Sequence, residues 1–325
     1  MTFSQRVKTE VMENANLSES NQSLIAGLVL SAGSLVFKNK QVTFCVASEN
    51  QGVIEFAKKV IAMEEPSVVF SEESEKRAFK TKEKIEITAD AECGSRLLLN
   101  LGIITLDAQG NRQIQSVPAE FLTLSDDDRI GFLKGAFLGA GSVSVPSSIE
   151  VEDIHKTSKS NGYHMEWVVS NEEAANKIAE LLSLLDIFPK KVERNDNFIV
   201  YIKESEAISN LIGMMGARVC LLELENDKAA REMRNLINRQ ANCISANIDK
   251  SVNAALMQLD AIEVIQNTIG LESLPDSLQE VALARLANPE GSLMDIQALL
   301  ETKITKGAIS QRFKKILEIS KELQE

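Results

Sequence analysis

The chain has 325 residues, 44% of them hydrophobic and 25% charged, which is the composition of a globular protein with room for two or three domains and excludes a fibrous or disordered one. A formal net charge of −12 disfavours indiscriminate nucleic-acid binding, because phosphate contact takes lysine and arginine. The opening MTFSQRVKTEVMENA is charged throughout and holds no apolar run, so no signal peptide or membrane span is expected, and the chain reads as cytoplasmic without a membrane partner.

In chain order, the first patterned segment is SLIAGLVLSAGS, Ser23 to Ser34. It is followed by LVFKNKQVTFCVAS, two β-rich runs joined by a polar Asn39-Lys40 turn, then the helical VIEFAKKVIAM, the strand-like KIEITAD and the helical SRLLLNLGI. The opening phrase then returns as FLKGAFLGAGS, Phe132 to Ser142, with Gly135, Leu138, Ala140, Gly141 and Ser142 each 108 residues beyond Gly27, Leu30, Ala32, Gly33 and Ser34. After it come YHMEWVVS, AANKIAELLSLL, FIVYIKE and AISNLIGMMGA. Both halves read helix, hairpin, helix, strand or hairpin, helix, an internal duplication over about 20–106 and 128–218 with pseudo-twofold symmetry. Small residues let two backbones approach, so Gly27 and Gly135 predict that one copy packs on the other. A phosphate-cradling loop is the rival reading, but neither copy has the GxxxxGK[ST] spacing or a strand leading into GxGxxG.

From about Leu222 the pattern is all helical, which sets an N-terminal domain at 1–221 and a helical one at 222–325. A polar helix around NDKAAREMRNLINR is expected to end in a turn at Asn247, an N-cap for a long helix IDKSVNAALMQLDAIEVIQNTI stopped by Gly270. A helix-turn-helix is expected over about 274–318. Ser292 with Asp295 opens a short helix LMDIQALLE, Thr302 to Thr305 turn, and Thr305 caps a second helix from Lys306. On that helix Ile309, Phe313, Ile316 and Leu317 face a core, leaving Lys303, Lys306, Ser310, Gln311, Arg312, Lys314 and Lys315 as DNA-binding candidates. No acid interrupts the run from Lys303 to Lys315, and a local basic face can bind phosphate inside an acidic protein. The competing reading is an ordinary helical bundle with solvated charges.

Metal and cofactor chemistry is not expected. Cys45, Cys93, Cys220 and Cys243 lack paired spacing and read as buried thiols, and His155 and His164 have no cysteine or acidic partner at ligand spacing.

Ile25 to Gly33 and Leu133 to Gly141 resemble the LAGLIDADG motif of homing endonucleases. The resemblance implies an α+β fold in which two such helices form the core and saddle-shaped sheets lie along DNA. In those nucleases the acid before the final glycine binds the catalytic metal, whereas Ala32 and Ala140 stand there in this chain. A methyl group neither binds a cation nor accepts a proton, so no catalytic residue is assigned. On the two sheets Lys76, Arg77, Lys80, Lys82 and Lys84, then Lys190, Lys191, Arg194 and Lys203, are interrupted by Glu72, Glu73, Glu75, Glu83, Glu193 and Asp196, and a weaker grip on DNA than the nucleases' is expected.

A degenerate duplication followed by INRQANCISANIDKS, LPDSLQEVALARLANPEGSL and a terminal helix-turn-helix resembles the WhiA family of Gram-positive bacteria over nearly the whole chain. The resemblance implies a regulator on double-stranded DNA, nucleoid-associated, linked to cell division and chromosome segregation and, in actinomycetes, to sporulation. Another transcription or division regulator is a partner in view. Arg239, Asn242, Asn247 and Lys250 form a second set of DNA-contact candidates, with capping and turning of the chain as the other reading of the asparagines. The alternatives are a protein- or ligand-binding scaffold with secondary DNA binding, and an active nuclease, against which the two alanines speak.

Overall fold

The computed structural model describes residues 1–15, 21–38, 41–75, 83–110, 112–115, 125–146 and 162–324. The chain starts with helix α1 (Phe3–Glu13), closed at its N-terminus by a capping box between Thr2 and Gln5 and burying Val7 and Val11. The polar composition of this segment gave no expectation of a helix.

The first repeat runs α2 (Gln22–Ala32), β1 (Gly33–Lys38), β2 (Gln41–Ser48), α3 (Gln51–Glu64), β3 (Phe70–Glu75), β4 (Lys84–Ala89) and α4 (Ala91–Asn100). A small ribbon, β5 (Ile104–Leu106) with β6 (Arg112–Ile114), separates it from the second. The second runs α5 (Asp126–Ala140), β7 (Gly141–Ser144), β8 (His164–Val169), α6 (Glu172–Ser183), β9 (Lys190–Arg194), β10 (Asn197–Ile202) and α7 (Ser205–Met214). The sheets have matching antiparallel orders, β1-β2-β4-β3 and β7-β8-β10-β9, so the duplication visible in the sequence is a duplication of fold. Alternation places Met165, Trp167 and Val169 of β8 in the core. Asn39 and Lys40, expected as a turn, lie outside the described residues, as do Lys76, Arg77, Lys80, Lys82 and His155.

Helices α2 and α5 pack against each other at the centre. A Cβ on Gly27 would overlap the Phe132 carbonyl, and one on Gly135 would overlap the Leu24 carbonyl. Those carbonyls are themselves related by the 108-residue offset, so the contact has the symmetry of the repeat. Both backbones approach as closely as glycine permits.

Helix α8 spans Arg218–Thr268. Its start is capped by α1, whose Glu10 carboxylate accepts the Val219 and Cys220 N–H groups at 2.6 and 2.9 Å. The chain divides into compact units Met1–Ala229 and Ala230–Glu325, so the division falls inside α8 and later than the expected 221/222. The expected turn at Asn247 is absent: α8 continues through it, and Asn247 Nδ2 bonds back to Cys243 Sγ. Between Asn235 and Lys250 there is no glycine or proline, and an asparagine alone costs a helix under about 1 kcal/mol. Cys243 lies in a solvent-exposed stretch of this helix, so three cysteines are buried and not four.

In the second unit, Gly270 with φ +79° ends α8, a single 3-10 turn follows at Leu271–Ser273, and then come α9 (Asp276–Ala287), α10 (Leu293–Leu299) and α11 (Lys306–Glu322). Ile262, Ile265, Val281, Ile296, Ile309, Phe313 and Ile316 form its core.

Candidate nucleic-acid interface

The helix-turn-helix is built from local caps and long-range ties. Ser292 and Asp295 form a full capping box on α10, and Thr305 accepts the Ala308 N–H to cap α11. Ile309, Phe313 and Ile316 are buried and Leu317 is half-buried, which fixes the rotation of α11. Lys306, Ser310, Gln311, Lys314 and Lys315 are consequently exposed, and Lys303 stands exposed in the preceding turn.

Arg312 does not join that face. It is half-buried and pairs with Glu280 of α9 at 3.4 Å. At 100° per residue, position 312 lies three residues after Ile309 and four before Ile316, on the flank of the buried stripe. That spacing was legible in the sequence, and the positive charge of Arg312 obscured it. Glu280 also accepts the backbone N–H groups of Glu301 and Thr302 at 3.0 and 3.3 Å, while Gln297 Nε2 donates to the Ile304 carbonyl at 2.5 Å. The turn thus lacks the usual glycine and is held by side chains. Replacing Glu280 by alanine is expected to lower the stability of this unit by about 1 to 2 kcal/mol, because two N–H groups lose their acceptor. Glu280→Gln, which keeps an acceptor oxygen, should recover most of that loss in urea unfolding.

Arg285 is the group that sequence reasoning missed. It is 2% exposed, and its Nε donates to Gln258 of α8 at 3.0 Å while one terminal nitrogen reaches the Gly291 carbonyl at 2.5 Å. The guanidinium also lies over the Phe313 ring, 5.4 Å from the centroid, and burial lowers its pKa from the ordinary value. One side chain therefore joins α8, the α9–α10 loop and α11. No periodic pattern marks such a residue.

The second candidate set lies elsewhere on α8. Arg239, Asn242, Asn247 and Lys250 are all exposed and mid-helical; Arg239, Asn242 and Lys250 share one face and Asn247 flanks it. Ala32 and Ala140 are the last residues of α2 and α5, and Ala32 lies against Gly139, so the two helix ends meet. Among the described residues no group of three or more His, Cys, Asp or Glu is arranged to hold a metal ion, and no helix is long and apolar enough to cross a membrane. His164 does have an acidic partner, contrary to expectation: Glu166, two residues along the same strand face, lies 3.0 Å away.

Residues 129–234 match the family described as WhiA LAGLIDADG-like domain, and residues 237–320 match the WhiA C-terminal HTH domain. A protein of Clostridium tetani (strain Massachusetts / E88) named probable cell division protein WhiA is 34% identical over 327 residues, spanning 99% of this chain and 98% of its own. This chain belongs to the WhiA family. A second WhiA, from Clostridium acetobutylicum, carries the same name and is 33% identical over 100% of this chain and 99% of its own. The crystal structure of full-length DUF199/WhiA from Thermatoga maritima superposes with a TM-score of 0.58 at 23% identity, covering 99% of each chain, and shares the fold. The α+β architecture is therefore that of WhiA: a LAGLIDADG-like domain followed by a helical helix-turn-helix domain.

Proposed function

We propose that this chain is a DNA-binding transcriptional regulator acting in cell division, with α11 as the helix that enters the major groove. The observation that carries the reading is the run Lys303 to Lys315, in which every charged residue is basic and all of them but Arg312 are exposed. Lysines there would hold phosphates, and Ser310 and Gln311 would face base edges. The relatives' name supports a role in cell division; chromosome segregation, and sporulation control in related families, are the finer parts of the proposal. Double-stranded DNA is the partner, the working place is the cytoplasmic nucleoid, and another transcription or division regulator protein is a further partner in this reading. The test is binding of the full chain to genomic duplex fragments at two salt concentrations: affinity should fall steeply with salt and differ between fragments. Equal, salt-insensitive affinity for all fragments would overturn the reading.

The LAGLIDADG-like domain is proposed to be without nuclease activity. With Mg²⁺ or Mn²⁺ the protein is expected to leave every duplex intact, because Ala32 and Ala140 offer no ligand to a metal. Ala32→Asp with Ala140→Asp should not restore cutting, since water and metal geometry must be rebuilt as well. Cleavage by the natural sequence, suppressed by EDTA and missing from a mock preparation, would contradict this.

A further inference from the structure

A cavity of about 600 Å³ opens in the N-terminal unit beside the end of α5, lined among others by Gln5 and Lys8 of α1, Asn50 at the start of α3, Lys84 of β4 and Gly139. Its chemistry is that of a donor surface. The Lys8 ammonium gives one hydrogen bond, to the Leu138 carbonyl at 2.9 Å, and lies over the Phe137 ring. Burial pushes it down to about 8, and among the described residues no carboxylate pairs with it. The Gln5 amide uses its oxygen in the capping box, accepting the Thr2 N–H at 2.9 Å. The Asn50 amide uses its oxygen to cap α3, accepting the Gly52 N–H at 3.0 Å. Both amides therefore keep their NH₂ ends, and neither of these donates to another group among the described residues. The 14-residue helix α3 begins at this wall and adds the positive end of its dipole. Against these donors stands one lining acid among the described residues, Glu49.

We propose that this cavity binds the phosphate group of a small phosphorylated molecule, with Lys8 as its charge partner and the amide groups of Gln5 and Asn50 as donors. A phosphate supplies acceptors to the two amide NH₂ groups and to the Lys8 donors beyond the one that Leu138 takes, and charge-assisted bonds to it are strong. A duplex is the less suitable occupant. Strand β3 beside β4 carries Glu72, Glu73 and Glu75, all exposed, and Glu83 precedes Lys84, so a long polyanion laid on this sheet meets acids that a small anion avoids. Among the described residues the cavity presents no aromatic side chain for stacking a base, which favours a phosphorylated sugar or free phosphate over a nucleotide.

The experiment uses the full chain at fixed ionic strength and follows saturable binding of inorganic phosphate and of ribose 5-phosphate by calorimetry and by the rise in Tm, with chloride as reference. Saturation by either is expected, and the tighter of the two identifies the source of the phosphate group. Gln5→Glu and Asn50→Asp keep the capping oxygens and exchange each NH₂ for an acceptor, so both should fold and each should weaken binding about tenfold or more. Lys8→Met should abolish it. Absence of saturation, or equal affinity in the Gln5→Glu and Asn50→Asp variants, would overturn the proposal. Displacement of the bound phosphate by a short duplex at stoichiometric concentration would do so too, by making the DNA backbone the occupant.

Discussion

Alanine at Gly27 or Gly135 is expected to unfold the N-terminal unit or lower its stability by about 3 kcal/mol or more. At each position the added methyl meets a backbone carbonyl of the facing helix, and backbone cannot turn aside as the end of a side chain can. The overlap is resolved only by separating α2 from α5, which opens a core containing Ile25, Leu28, Phe132, Ala136 and Phe137. Overpacking at less intimate contacts already costs about 1 to 3 kcal/mol. Gly131 is the control on the same helix. A Cβ there would find Ser23 Cβ at 3.5 Å and the Leu24 nitrogen at 3.8 Å, an ordinary contact, so Gly131→Ala should be neutral or stabilise by about 0.5 to 1 kcal/mol through helix propensity. Urea unfolding followed by far-UV circular dichroism distinguishes the three variants. Wild-type stability for Gly27→Ala would mean that the two central helices do not touch as described.

The second large effect concerns binding. Replacing Lys306, Lys314 and Lys315 together by alanine should reduce affinity for all duplexes alike and lower the steepness of the salt dependence by about 2 to 3, close to one unit per lost phosphate contact. The fold should persist, because the three side chains are exposed and Ile309, Phe313 and Ile316 still hold α11 to its core. Gln311→Ala should act differently, costing about 1 to 3 kcal/mol on the preferred sequence and little on others, if its amide reads an adenine edge. The comparison pair is Arg239→Ala with Lys250→Ala on α8. Should that pair abolish binding while the triple lysine variant binds normally, the exposed stretch of α8 is the DNA reader and α11 serves another partner. Arg312→Ala belongs to neither class. Its loss acts through Glu280 and the turn, so weakened binding should come with a measurable loss of stability.

Much of this was legible because it is local. The helix and hairpin alternation of both repeats follows from apolar periodicity within a few residues, and Ser292, Asp295 and Thr305 announce two helix starts from side chains that bond three residues ahead. That alanine stands at both Ala32 and Ala140 is a matter of residue identity and needs no structure. Local reading failed at α1, at Arg312 and most plainly at α8. A string of asparagines suggested a turn, although nothing in the stretch forbids helix and each peptide simply continues the preceding one.

The sequence by itself therefore determined the duplication, the caps of α10 and α11, the buried stripe of α11 and the basic run beside it, since all of these are set by neighbours within a turn or by a repeat. Only the tertiary structure decided which charges are free. Lys8 is held by a carbonyl 130 residues away, Arg285 by a glutamine 27 residues back, Arg312 by a glutamate 32 residues back, and the start of α8 by a carboxylate in α1 more than 200 residues earlier. A lysine or arginine in water and one withdrawn into such a contact are the same letter. The difference between them is made by desolvation and by a partner that the chain brings near only when it folds.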